Sequence, residues 1–198
     1  MLSKQHTILP CFMEPIMYYL MEKNDIDIPL CQLSSPNPKG KGRVRWVDGK
    51  QLKRPPKIPL KFELNIKKGP LLPDFFDADM PIFSPRLLKA FTRAGVENIF
   101  SYPVELKNPS TGEKTENYQA VNIVGVLRVA RLDDLEDVDG SEIRYVSDVD
   151  TLKIDPNRCS GQLCFRLYEN LSSIIVHKNV VAQIQSDNCI GLKFRAVS

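Results

Sequence analysis

Arg166 and Glu169 lie three residues apart in QLCFRLYENLSSIIV, residues 162 to 176. Leu163, Phe165 and Leu167 alternate there with Cys164, Arg166 and Tyr168, the two-residue period of a β-strand with one apolar face. An arginine at the centre of such a strand could hold a substrate phosphate, meet a partner or tie down its own fold. A buried guanidinium needs a carboxylate or backbone carbonyls in place of water. An internal ion pair or a backbone tether is therefore the expectation for Arg166, with Glu169 read in the same way. Asn122 sits inside the apolar run YQAVNIVG. A buried amide must find hydrogen-bond partners, so a structural role is expected for it too.

The carboxylates of RLDDLEDVDGSEIRYVSDVD, residues 131 to 150, are the next candidates. Asp133, Asp134, Glu136, Asp137, Asp139 and Glu142 crowd ten residues. The DxDxDG spacing of a calcium loop is missing, and Asp139-Gly140 fits a tight turn. So many like charges repel one another and favour an extended, solvent-facing segment. The functional alternative is an acidic plug for a basic surface on another protein, where charge accelerates and selects association. The opposite charge collects upstream, where residues 39 to 68 hold eleven Lys or Arg against Asp48 and Glu63. That run reads as a solvated loop or as a second partner surface, with Arg45 and Trp46 as its candidate contacts.

Catalytic grammar is otherwise sparse. Neither GxGxxG nor GxxxxGK[ST] occurs, so no phosphate-cradling loop is written in the sequence. HExxH and GxSxG do not occur either. With only His6 and His177, a His-based triad would be an accident. His177 opens a predicted helix, where a capping or surface role is expected. Cys11, Cys31, Cys159, Cys164 and Cys189 form an odd set with neither a CxxC pair nor zinc-ligand spacing. Reduced and mostly buried thiols are expected, with no metal and no cofactor.

These side chains belong to 198 residues that are 42% hydrophobic and 26% charged, enough for one large domain or two small ones. A net charge of +3 is too small to argue for nucleic-acid binding. The opening MLSKQHTILPCFMEPIMYYLMEKND is broken by Pro10, Glu14 and Pro15 and lacks the apolar core of an export signal. No stretch approaches the roughly 20 apolar residues that span a bilayer. The cytoplasm is the expected location, and any partner is expected there.

Residues 1 to 70 are rich in proline and lysine. Arg43 to Val47 reads as a short strand ending in an Asp48-Gly49 turn, and KFELNI, residues 61 to 66, as a half-buried strand. Further on, Ser84 suits an N-cap, Pro85 the first helical position and Gly95 the stop of a helix whose stripe is Leu87, Leu88, Phe91 and Ala94. NIFSYPVEL alternates as a strand. NYQAVNIVGVLRV, apolar on both faces from Ala120 to Val129, reads as a central strand paired with it. Ile82–Val104 and Ile175–Val197 align without gaps at an offset of 93 residues, with Leu87 matching Val180 and Phe91 matching Ile184. Identity is nearly nil, but each segment reads as a short strand, a helix of about ten residues and a strand.

The set SPRLLKAFTRAGVENIFSYPVEL, YQAVNIVG, CFRLYE, SSIIVHKNVVAQI and GLKF, in that order from about Ile82 to the end, resembles one bacterial family. This is immunity family eleven of the polymorphic toxin systems, formerly a domain of unknown function. The resemblance implies an antitoxin that binds a cognate toxin or effector domain, blocks it and has no reaction of its own. The family's recurrent Asn, Arg and Glu fall on Asn122, Arg166 and Glu169, and no catalytic residue is carried over.

The expectation is thus an α+β fold. A mixed β-sheet with two main helices over residues 71–198 is preceded by a proline- and lysine-rich N-terminal lobe, residues 1–70, with short strands. The expected function is stoichiometric occlusion of a toxin, through the acidic segment 133–142 first and the basic segment 39–57 second. The alternative is a nucleic-acid-binding or regulatory module that uses residues 39–68.

Overall fold

The structure is a computed structural model that describes residues 17–24, 31–34, 46–53, 57–66, 72–77, 80–131, 136–137, 144–145 and 151–198. Its elements in chain order are β1 (Tyr18–Lys23), β2 (Cys31–Ser34), β3 (Leu60–Ile66), β4 (Phe75–Phe76), β5 (Ile82–Phe83), α1 (Pro85–Arg93), β6 (Ile99–Lys107), β7 (Lys114–Ile123), β8 (Val126–Leu127), β9 (Glu136–Asp137), β10 (Arg144–Tyr145), β11 (Cys164–Leu167), β12 (Asn170–His177), α2 (Lys178–Ser186) and β13 (Leu192–Ala196). A six-stranded sheet has the order β2-β3-β6-β7-β5-β4, and a five-stranded sheet the order β13-β1-β12-β11-β8. Both mix parallel and antiparallel pairs. The expected α+β class and two helices are present, with the strands divided between two sheets.

The echo in the sequence is a repeated topology. β5 and β6 flank β7 antiparallel on both sides, with α1 as the crossover between them. β12 and β13 flank β1 in the same way, with α2 as the crossover. Each unit is a split β-α-β motif. The registers also agree. Ile82 opposes Ala120 and Ile99 opposes Ile123, while Ile175, 93 residues after Ile82, opposes Leu20, and Leu192, 93 after Ile99, opposes Lys23. The middle strand of the first unit follows β6 through a turn. The middle strand of the second comes from the other end of the chain, where the Tyr18 N–H donates to Ser198 Oγ at 2.9 Å and the Val197 N–H to the Tyr18 carbonyl at 3.0 Å.

Side-chain alternation then makes three cores. Phe83, Leu87, Phe91, Val121 and Ile123 of the first unit pack with Met21, Ile174, Val176, Val180 and Ile184 of the second in one shared centre. The outer face of the six-stranded sheet buries Phe62, Leu64, Ile82, Val104 and Tyr118 under Trp46. The outer face of the five-stranded sheet buries Tyr18, Leu20, Phe165 and Ile175 under Val129, Ala130, Leu152 and Ile154. Burial of a large apolar side chain contributes about 1.5–3 kcal/mol, so the shared centre holds the two units together.

Local signals act as expected in α1. Ser84 Oγ accepts from the Leu87 N–H at 3.1 Å, Pro85 opens the helix, and Gly95 follows it at φ +85°. Two sequence expectations change. Trp46–Asp48 is a 3-10 turn, not the end of a strand; Arg43 to Arg45 lie outside the described residues. The run from Ala120 to Val129 is not one strand, because Gly125 at φ +128° ends the extended path and the chain crosses from β7 in one sheet to β8 in the other. Within residues 1–70, the described strands belong to the two sheets. β1 occupies the middle of the five-stranded sheet, and β3 pairs with β6 in the six-stranded one.

Candidate functional site

Asn122, Arg166 and Glu169 are buried, and the side chains of Asn122 and Arg166 bond to backbone carbonyls. Asn122 on β7 is fully buried and donates through Nδ2 to the Lys50 carbonyl at 2.9 Å. Gly49, next to Lys50 and at φ +61°, accepts from the Gly125 N–H at 2.8 Å, and the Arg166 N–H donates to the Gly125 carbonyl at 2.9 Å. One point of the chain thus joins the 46–53 segment, the end of β7 and the strand β11. A Cβ at Gly49 would overlap the Val126 side chain, so the approach requires glycine there.

Arg166 is 1% exposed, and its Nη1 donates to the Leu171 carbonyl at 2.8 Å. It is a backbone tether across the β11–β12 turn. Its expected one-sided strand is buried along all four residues, since Cys164 faces the shared centre while Phe165 and Leu167 face the outer core. Glu169 is 3% exposed. Burial raises its pKa, and the N–H groups of Glu169 itself and Ala130, with the charges of Arg128 and Arg158, act in the opposite direction.

Ala130 is the root of the acidic segment. Ala130 and Ile154 face each other across an antiparallel bridge, with the Arg131 N–H donating to the Lys153 carbonyl at 2.9 Å and the Asp155 N–H to the Val129 carbonyl at 2.8 Å. Val129, Ala130, Leu152 and Ile154 are at most 1% exposed. The segment between them contains a second antiparallel pair, Glu136–Asp137 with Arg144–Tyr145. The residues that flank the acidic run, Ala130 and Ile154, are thus held together in the core. Asp133, Asp134, Asp139 and Glu142 lie outside the described residues, as do the side chains of Glu136 and Asp137.

Beside that root lies a pair that the sequence reading passed over. Tyr168 is 42% exposed, and the Arg128 guanidinium stands 4.1 Å from its ring centroid. Tyrosine and arginine are the side chains that most often anchor protein interfaces. The only signal for Tyr168 in the sequence was its outward position in the strand alternation. Trp46, expected as a partner contact by residue type, is instead a core residue, 9% exposed and edge-on to Tyr102 at 5.4 Å. Arg45 lies outside the described residues.

Among the described residues, three thiols and one histidine remain to be placed. Burial pushes Cys164 up to about 12, and Cys159 and Cys189 up to about 11, so none of the three forms thiolate in useful amount near neutrality. His177 caps α2, its Nδ1 accepting from the Asn179 N–H at 3.3 Å. Among the described residues no cluster of His, Cys, Asp and Glu is placed to hold a metal ion, and no helix is long and apolar enough to cross a membrane. Compared with known proteins, the chain matches no protein-family model and no curated protein.

Proposed function

We propose that this protein is an immunity protein that binds a cognate toxin or effector domain in the cytoplasm and neutralises it by one-to-one occlusion. The observation that carries this reading is the acidic arm, whose two ends are bridged at Ala130 and Ile154 in the core. Residues 132–155 hold nine acids against Arg144 and Lys153. A run of that charge costs self-repulsion in the free protein, and a basic partner relieves it. The resemblance from Ile82 onward supports the same class. Of its polar signature residues, Asn122 and Arg166 tie backbone segments together, which suits a protein that acts through its surface.

The arm gives speed and selection, and the Tyr168–Arg128 pair beside its root gives a contact of the kind that slows release. The test is a titration of the toxin domain encoded next to this gene. One equivalent should abolish its activity. Replacing Asp133, Asp134, Glu136 and Asp137 by Lys should slow association at least tenfold at low salt and weaken its salt dependence. Tyr168→Ala should leave association unchanged and speed dissociation. Inhibition that needs a large molar excess, or an unchanged association rate in the charge-reversed protein, discards the reading. Salt-sensitive RNA binding through residues 39–68 would favour the nucleic-acid alternative.

A further inference from the structure

A cleft of about 560 Å³ runs along α1, lined among others by Ser84, Arg86, Lys89, Arg93, Asn117 and Asp187. Arg86, Lys89 and Arg93 are spaced so that a helix presents them on one face. Two of the three are aimed. Arg86 donates through Nε and Nη2 to Asp74, at 3.2 Å and 2.6 Å, and Arg93 Nη1 donates to Asp187 at 2.8 Å. Both carboxylates are fixed on their far sides or by burial. Asp74 is 3% exposed and also accepts from Ser84 Oγ and from the Ile190 N–H at 2.7 Å, and the Asp187 side chain is 13% exposed. Lys89 stands between the two arginines, exposed and with no carboxylate partner among the described residues.

The repeated unit supplies an internal control. The α2 positions 93 residues on from Arg86, Lys89 and Arg93 are Asn179, Ala182 and Ser186, and the same split β-α-β register forms around them. The repeated topology therefore forms in the second unit without cations on this helix face. Arg86 stands in the first turn of α1, where the helix dipole favours anions.

We propose that this cleft binds the phosphate group of a small phosphorylated molecule. A guanidinium already engaged on one edge keeps donors on its other edge, and Lys89 adds three more. The donors outnumber what the two oxygens of a carboxylate accept, and a phosphate offers three terminal oxygens. The cleft is also larger than inorganic phosphate and lies in the range of small-molecule sites, so an organic remainder fits beside Pro85 and Asn117. The existence of this site does not depend on the immunity reading.

The experiment is a backbone and side-chain amide NMR titration with inorganic phosphate and ribose 5-phosphate, with ribose and succinate as controls at matched ionic strength. Saturable shifts confined to α1 and the Asn117 side chain are expected, with ribose 5-phosphate binding more tightly than phosphate. Lys89→Gln should weaken both at least tenfold, Lys89→Arg less than threefold, and neither should move the thermal midpoint, because Lys89 is exposed. Three results overturn the proposal: no saturable binding up to about 10 mM, equal affinity in Lys89→Gln, or succinate binding as well as ribose 5-phosphate.

Discussion

Ser84 and His177 stand 93 residues apart and cap equivalent helices, one with a hydroxyl and the other with an imidazole. Each lies at the end of the strand that feeds its helix, and each accepts from a backbone N–H in the first turn. The Ser84 cap is buried and its hydroxyl donates to Asp74. The His177 cap is half-buried and can titrate.

The two caps therefore differ in pH dependence. Burial, and then the charge of Lys178, lower the His177 pKa, and protonation at Nδ1 would remove the acceptor. The unfolded chain then takes up the proton first as pH falls. The cap's contribution is complete above the unfolded value of about 6.5 and is lost as pH falls through the lower folded value. Ser84→Ala should cost about 1 kcal/mol at pH 8. His177→Asn should keep the cap and flatten the stability profile between pH 8 and pH 5, as read by urea denaturation. Identical slopes for His177→Asn and the parent protein would refute the role of the ring.

Arg166 is predicted to matter for folding and not for contact with a partner. Arg166→Met leaves the half-buried Leu171 carbonyl without its donor and should cost about 2–4 kcal/mol. Arg166→Lys, lacking the planar fork, should recover less than half of that. The protein that remains folded should bind toxin with unchanged affinity. Full stability with lost binding would move Arg166 to the surface chemistry.

Glu169 gives the opposite pH signature from His177. Its folded pKa is raised by burial, so its contribution is present below the unfolded value of about 4.5 and is lost as pH rises through the folded value. The melting temperature of Glu169→Gln relative to the parent should therefore increase as pH goes from 4 to 8. A constant offset between the two across that range would show that the carboxylate is not strained by burial.

The repeated topology can be tested by rearranging the chain. A short Gly/Ser linker from Ser198 to Met17 would complete the turn that the second unit lacks, and new ends can open in the turn after Asn108, where Asn108 Oδ1 accepts from the Ser110 N–H at 2.9 Å. Such a permuted chain should fold with native circular dichroism and lose less than about 2 kcal/mol. Failure to fold with several linker lengths would mean that the segment before Met17 is required.

Much of this architecture was legible residue by residue. The Ser84, Pro85 and Gly95 signals bound α1, the alternation of Phe62 and Leu64 marks β3, and the strand–helix–strand grammar recurs at an offset of 93 despite scant identity. These are short-range matters, set by backbone preference and by which face of an element is apolar. The acidic charge was legible as composition alone. Trp46 shows the limit of that style of reading, because residue type carries no information about which side of a sheet covers the ring.

The sequence by itself determined the α+β class, the helices with their stops, and the sign and place of the charged runs, because each follows from neighbours within a few residues. Only the tertiary structure decided that β1 completes a unit begun some 150 residues later, that Gly125 passes the chain between sheets, and that the acidic arm closes on Ala130 and Ile154. It likewise placed Arg86 against Asp74 and Arg93 against Asp187. Those outcomes rest on hydrogen-bond register and burial between residues far apart in the chain. No local pattern specifies them, because each partner's preference is satisfied by many strands and only packing selects one.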